Sequence, residues 1–467
     1  MNRRFLLLLV LTAVAHSAQS QDSTRSATWR TDIDAEIGLL SIENEAGDKE
    51  SFFSTVLLPT FSKGDWAVGA RIKFRVNQGG FRSEDYNSLA DILSIARFVQ
   101  FGEEPETEDK RSPRHVLGGE IEEVTFGYGQ LISEYRNTIS VDNPKIGVTG
   151  SQGRRDVFLQ GLFSSITDPG LFGARGAVWP FEDRQDSRFR EAVVGATLAG
   201  DLDNQGRLVN PDRAGVPYVA DDEVGNPLIG VVPGESDGAL VMIALDAAMP
   251  LHYRHVDKLL VYSEVAKIVG FGQGLSLGLN GQRRRGDLFV EGWLEQRLIG
   301  SQYLPSYFNS LYEVERVQRA TVDAGDREIE AFQSKRNQLA GQNETLIGSF
   351  IAVEASVRRR YRVRTSFERT WNKAASDWFH IDLRVYDRDL PYQIRFTFDR
   401  INMDEIEDIW NGPSENGIMR LELAYAFWEK LLLGFRFRQT FEPVERLGRI
   451  VGQSKQTRIA PNIVVRF

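Results

Sequence analysis

The chain has no cysteine. Disulfides and thiolate metal centres are therefore excluded. Histidine is scarce, and beyond the first twenty positions only His115, His252, His255 and His380 occur. No G-x-S-x-G elbow, P-loop or H-E-x-x-H motif is present, so no catalytic framework is legible and the chain reads as a non-enzyme. Long apolar runs are missing too. The best internal stretch, Gly238 to Leu251, is broken by Asp246 and falls short of the ~20 residues a spanning helix requires. Basic charge is not in excess, since the net charge is −9, which argues against a nucleic-acid partner.

The N-terminus is rich in signal. Arg3 and Arg4 precede an apolar run from Phe5 to Ala15, and small and polar residues follow. That is the layout of a secretory signal peptide. Ala18-Gln19-Ser20 is a suitable cleavage site and Ala15-His16-Ser17 a second. The expected organisation is a signal peptide over 1–20 and one exported domain over 21–467. No lipoprotein cysteine follows the run. Only helices and closed barrels satisfy every backbone group inside a bilayer, so an exported chain without a spanning helix is either soluble or a barrel. The 28 Phe, 13 Tyr and 8 Trp suit strands and interfacial girdles.

Apolar residues alternate with polar ones at period 2 from end to end, the pattern of strands with one apolar face. Ile33, Ala35, Ile37 and Leu39 oppose Asp32, Asp34 and Glu36. Trp66, Val68, Ala70, Ile72, Phe74 and Val76 oppose Ala67, Gly69, Arg71, Lys73 and Arg75. The rhythm is most regular over 361–368, 379–386, 392–399, 419–427 and 431–438. Less regular candidates cover 98–101, 145–149, 157–163, 172–181, 192–199, 239–247, 259–269, 275–280 and 287–297. Links between the regular strands alternate short (358–360, 387–390, 428–430) and long (371–376, 401–416, 441–456). Short turns at one end and long loops at the other are the habit of membrane barrels. At ~10 residues per strand plus connections, the length suggests roughly 16 to 18 strands. Two segments break the rhythm: 86–97 has helical spacing, and 323–339 is charged and also suits a helix.

The chain stops at Phe467, with Val465, Ile463 and Ile459 on the same face. This ending resembles the C-terminal aromatic assembly signal of bacterial outer-membrane β-barrels. It departs from that pattern at Pro461 and Asn462, where a glycine is common. The resemblance implies an all-β, antiparallel up-and-down transmembrane barrel in the cell outer membrane. It also implies outer-membrane lipid and the barrel assembly machinery as partners. No plug domain precedes the first strand, which counts against a TonB-dependent transporter. Gly127-Tyr128-Gly129-Gln130 followed by Tyr135-Arg136-Asn137 resembles a feature of uncharacterised exported barrels and carries no activity with it.

Chemistry is concentrated on the face opposite the apolar one. There stand Arg71, Lys73, Arg75, Arg362, Arg364, Arg384, Arg395, Arg420, Arg436 and Arg438. Against them stand Asp32, Asp34, Glu36, Glu368, Asp382, Asp399 and Glu422. Opposed ladders of this kind set a transverse field across a water-filled constriction and select polar solutes. Alternatively, the charges pair and fill a closed lumen. Arg436 and Arg438 are expected near Asp32 to Glu36, because closure brings the last strands to the first. Asp201, Asp203, Gln205, Gly206 and Asp212 resemble a calcium loop in spacing, with Gln205 and Asp212 departing from its ligand types. An acidic external loop is the alternative, and calcium is the one cofactor this spacing suggests. His252, His255 and Asp257 form a lesser cluster at a strand connection. The function expected from these features is a porin-like channel for passive diffusion of small polar solutes. The alternative is a closed or plugged barrel with a structural or surface-interaction role.

Overall fold

In the computed structural model, residues 29–466 are described. The exceptions are 44–48, 88, 103–104, 106–111, 139–144, 168–169, 184–188, 205–217, 222–226, 231–238, 254–256, 324–327, 358–359, 375, 386–389, 411–416, 429 and 447–448. The expected signal peptide 1–20 and Phe467 lie outside the described residues.

The first half of the chain carries β1 (Arg30–Glu43), β2 (Lys49–Lys63), β3 (Trp66–Ala70), β4 (Ile72–Asn77), β5 (Gly80–Phe81), β6 (Ala96–Phe101), β7 (His115–Gly119), β8 (Gly147–Arg154), β9 (Val157–Phe163), β10 (Leu171–Val178), β11 (Val193–Asp201), β12 (Tyr218–Asp221) and β13 (Pro227–Gly230). The second half carries β14 (Leu240–Tyr253), β15 (Asp257–Ile268), β16 (Gln273–Arg285), β17 (Leu288–Ile299), β18 (Val317–Asp323), β19 (Glu328–Ser334), β20 (Leu346–Val357), β21 (Tyr361–Thr370), β22 (Asp377–Val385), β23 (Tyr392–Met403), β24 (Gly417–Trp428), β25 (Leu431–Arg446) and β26 (Arg449–Arg466).

Each barrel strand pairs antiparallel with the next, and β26 returns to pair with β1 through Asp32↔Arg466 to Glu36↔Asn462. Strands β3 and β4 are one barrel strand interrupted at Arg71, since both pair with β2. The closed barrel therefore has 20 strands. Strands β12, β13, β18 and β19 form a separate four-stranded sheet.

Twenty exceeds the expected 16 to 18. Every segment named from its alternation holds a strand, and the extra strands are β2, β7 and β20. Their inner faces hide the period. Inward Phe52, Val56 and Leu58 of β2 and inward Phe350 and Ala352 of β20 are buried apolar residues, so apolar side chains stand on both faces. Strand β7 is only five residues long.

Two further expectations are corrected. The long link expected at 441–456 is the extension of the hairpin β25–β26, paired as far as Arg446↔Arg449. The helix expected over 323–339 is mostly strand β19, and only Lys335–Gly341 is helical. The segment 86–97 does hold a short helix, Leu89–Leu93, after a 3-10 turn at Ser83–Tyr86.

The pleat sorts side chains between two environments. On β14, Leu240, Met242, Ala244, Asp246 and Ala248 are buried inside, while Ile243, Leu245, Met249 and Leu251 are exposed outside. Leu277 and Leu294 continue the outer band at 60% and 57% exposure. An apolar belt this broad on a soluble protein would aggregate; on a closed barrel it is the lipid-facing surface. Aromatic Trp66, Tyr392, Tyr425, Phe427 and Trp428 are exposed near the end where β1 starts and β26 finishes, as an interfacial girdle requires. That end carries tight turns. Gly64 and Gly286 take left-handed φ of +57° and +59° there, a conformation open to glycine without a Cβ penalty. The connections 120–146, 202–239, 300–345 and 404–416 lie at the opposite end, which by the loop rule is external.

Candidate functional site

Two external connections do not stay outside. Segments 120–137 and 303–316 fold into the barrel and join through the pairing Ile132↔Phe308. Their apolar residues Ile121, Val124, Phe126, Leu131, Ile132, Tyr303, Tyr307, Phe308 and Tyr312 are buried against wall residues Leu162, Leu171, Met242, Ala266 and Ile268. The wall makes room for them. A Cβ added at Gly173 would meet Ile132 Cδ1 at 2.7 Å and Phe126 Cε2 at 2.8 Å. Burying such side chains is the main force holding the segments inside.

Their polar groups are matched to the wall as well. Gln130 donates from its backbone N–H to Glu264 and from its side chain to Glu295, and it accepts from the Tyr303 hydroxyl at 2.8 Å. Glu122 takes both Nη groups of Arg395 at 2.7 and 2.6 Å. Glu123 takes those of Arg362 at 3.0 and 3.1 Å. Arg384 reaches Glu123 at 3.3 Å and Glu122 at 3.8 Å. Arg364 binds Glu134 at 2.8 Å and Glu354 at 3.2 Å. Such fork-to-carboxylate contacts are the stronger class of ion pair. Burial alone would raise the Glu122 and Glu123 carboxyls. The adjacent arginines outweigh it, Arg395 and Arg384 for Glu122 and Arg362, Arg364 and Arg384 for Glu123, and hold both well below the ordinary value.

Below these segments, toward the end where β1 starts, lies a cavity of about 850 Å³. Eleven basic side chains line it against eight acidic ones. The inward residues expected from the sequence divide between this cavity and other places. Asp32, Asp34, Arg71, Arg362, Arg364, Arg384, Arg395, Arg420, Arg436 and Arg438 line it. Glu36 is buried and receives Arg436 at 2.5 Å and Arg438 at 3.0 Å. Arg436 also reaches Asp34, so closure brings the last strands to the first as expected. Lys73 and Arg75 are elsewhere. The turn 83–86 tucks over them, Asp85 pairing with Arg75 at 3.0 Å and the Tyr86 hydroxyl donating to the Lys73 carbonyl at 2.5 Å.

His380 is fully buried, with Nδ1 at 2.7 Å from Asp399 and Nε2 at 3.7 Å from Glu134. Ser310 donates to Asp399 at 2.6 Å and Arg136 lies 3.2 Å from it. This knot ties both inward segments to β22 and β23. Of the candidate calcium loop the described part is Asp201 to Asn204. Asp201 is buried and held by the Tyr312 hydroxyl and by Arg316 at 2.6 Å, an ion pair that takes the carboxylate a cation would need. Gln205 and Asp212 lie outside the described residues, as does His255. Among the described residues no cluster of metal-ligating side chains occurs. Ile463 and Val465 of the expected assembly signal pair with Ala35 and Ile33 of β1.

Sequence reasoning missed Glu120, Glu122, Glu123 and Glu134, the partners of the arginine row, and also Arg97. A signal for the glutamates was present. The connection 120–137 carries Ile121, Val124, Phe126, Leu131 and Ile132, more apolar bulk than an external loop can leave in water.

No protein-family model and no curated protein matches the chain. Among solved structures it is similar to Escherichia coli Wzi, described as an outer-membrane protein of group 1 capsule assembly and a carbohydrate-binding β-barrel. The identity is 10%, covering 98% of this chain and 88% of that one, with a TM-score of 0.32. It is similar also to Acinetobacter baumannii OccAB4, at 10% identity, 95% and 98% coverage and a TM-score of 0.28. Pseudomonas aeruginosa OpdL gives 8% identity, 95% and 98% coverage and a TM-score of 0.29. Scores this low transfer nothing to this chain. Its own closed pairing, lipid-facing belt and polar interior define the class: the protein is a bacterial outer-membrane β-barrel.

Proposed function

We propose that the protein is a channel for small polar solutes, favouring anions, with a lumen narrowed by its own inward segments. It acts by passage and not by catalysis, in contact with outer-membrane lipid and installed there by the barrel assembly machinery. The observation that supports this reading is the charged cavity of about 850 Å³. Space walled by so many ionised groups costs too much to leave dry, so it holds water and counter-ions. Arg97 lines it without a carboxylate partner among the described residues, which favours anions.

The test is conductance of the refolded full chain in planar bilayers. Small unitary steps with a reversal potential on the anion side are expected. Absence of steps where known porins conduct would remove the channel reading.

A closed barrel with a structural or surface-interaction role is the second reading. The shared apolar core of segments 120–137 and 303–316 favours it, because such a core holds the external half shut. Under that reading the wild type stays silent in the bilayer, and the external connections are the working surface.

A further inference from the structure

The lipid-facing band has a gap. Outward residues of neighbouring strands stand in rows across the wall. Near the tight-turn end one row reads Leu259, Gly281, Gly292 and Val353, from β15 to β20. The next row into the band is filled by Val261, Leu279, Leu294 and Ile351. The two paired glycines therefore leave a notch between Leu259 and Val353, which stand three strand spacings apart, about 14 Å.

The fold does not ask for glycine at either place. Neither has a left-handed φ. A Cβ at Gly281 would meet nothing nearer than Leu259 Cδ1 at 3.8 Å, and one at Gly292 nothing nearer than the Ala352 carbonyl oxygen at 3.8 Å. Glycine weakens a strand interior. Where no bend or crowding calls for it, it marks a place where another molecule comes close to the backbone.

Charge stands at the mouth of the notch. Leu275, Leu277 and Leu279 are exposed and set the outward parity of β16. The same parity puts Arg283 and Arg285 on the lipid side, between Gly281 and the turn at Gly286. Arg283 is 70% exposed, with its Nε 3.3 Å from Asp257 Oδ1. Arg284 lies on the inner side over the Phe289 ring, 5.1 Å from its centroid. Arg285 is exposed and opposite Leu288. It has no ionic partner among the described residues, and Asp287 in the turn does not pair with it. On the lipid side Asp257 answers Arg283, and Arg285 is left over. This end of the barrel meets the periplasmic leaflet, whose phospholipids carry a phosphate at that depth. Guanidinium groups match phosphate oxygens, and basic side chains beside a membrane surface attract anionic lipid.

We propose that the notch is a binding site for one anionic phospholipid of the periplasmic leaflet. An acyl chain lies over Gly281 and Gly292, and Arg283 and Arg285 hold the phosphate. The site is on the outside of the wall, so it stands whether or not the lumen conducts.

The test is native mass spectrometry of the refolded protein released from detergent micelles, titrated separately with dioleoylphosphatidylglycerol and dioleoylphosphatidylcholine. One saturable adduct is expected, forming at lower concentration with the glycerol lipid. Arg283→Gln combined with Arg285→Gln should weaken that lipid about ten- to thirtyfold, the worth of two arginines beside an anionic surface, and the choline lipid far less. Gly292→Leu fills the notch without touching charge and should weaken both lipids, which keeps the test informative if the arginine variant misfolds. Adducts that accumulate without saturation, or equal affinity for the two lipids, would overturn the site. So would an affinity for the glycerol lipid unmoved in either variant.

Discussion

Arginine placed at Leu294 tests both the register and the membrane. Leu294 is exposed on the outer face of β17, between Leu279 of β16 and Ile351 of β20 in register. Leu288 begins the same strand on the same face. At about 3.4 Å per residue, the two are roughly 20 Å apart along the strand. With a tilt of about 40°, that is roughly 15 Å along the membrane normal, more than half of a ~25 Å apolar band. If Leu294 is near the midplane, Leu288 is at the interface. Leu294→Arg should then cost about 2–4 kcal/mol and Leu288→Arg about 0–1 kcal/mol. Expressed as folding equilibria, the central change is worth a factor of about 30 to 700. Urea unfolding of the protein in phospholipid vesicles, followed by tryptophan fluorescence, measures both. Equal costs at the two positions would refute the depth assignment, and negligible costs at both would refute the lipid-facing surface.

Two further outcomes follow from the ion pairs. Arg436→Glu sets a third acid against Asp34 and Glu36 and should cost about 3–5 kcal/mol. Adding Glu36→Arg should restore part of it, and strictly additive effects on melting in detergent would contradict the pairing. The Glu122 and Glu123 carboxyls titrate lower in the folded protein than their ordinary value of 4.5. Their contribution is therefore complete above that value and lost as pH falls through the lowered ones. Amide exchange of segment 120–137 should stay slow at about pH 5.5 and quicken only well into acid; loss of protection near neutral pH would refute the hold of these ion pairs on the segment.

The sequence was most legible where a strand has water or a counter-charge on its inner side. Strands β21 to β25 carry Arg362, Arg384, Arg395, Arg420 and Arg436 inward, so their alternation is sharp. It fails where the inner face touches the inward segments, as at Phe350 and Ala352. It fails also over 441–456, where the sequence of the β25–β26 tip has no sustained period-2 alternation. The interior was illegible for a different reason. Glu122 and Arg395 are 273 positions apart, and no local period announces such a partner. The arginine row could be seen from one side only, without its glutamates.

The clasp between Arg436 and Glu36 joins residues 400 positions apart. Strand β1 meets β26 over five residue pairs, against fourteen with β2. No other strand pair among the described residues of the barrel joins segments so far apart in sequence, and the entropy of closing a loop grows with its length. During biogenesis the first strand must keep Asp34 and Glu36 at an unmatched edge until nearly the whole chain has been delivered. The clasp is then a clock hand. It forms only when the last hairpin arrives, and an intermediate halted before that moment exposes two acids at its leading edge.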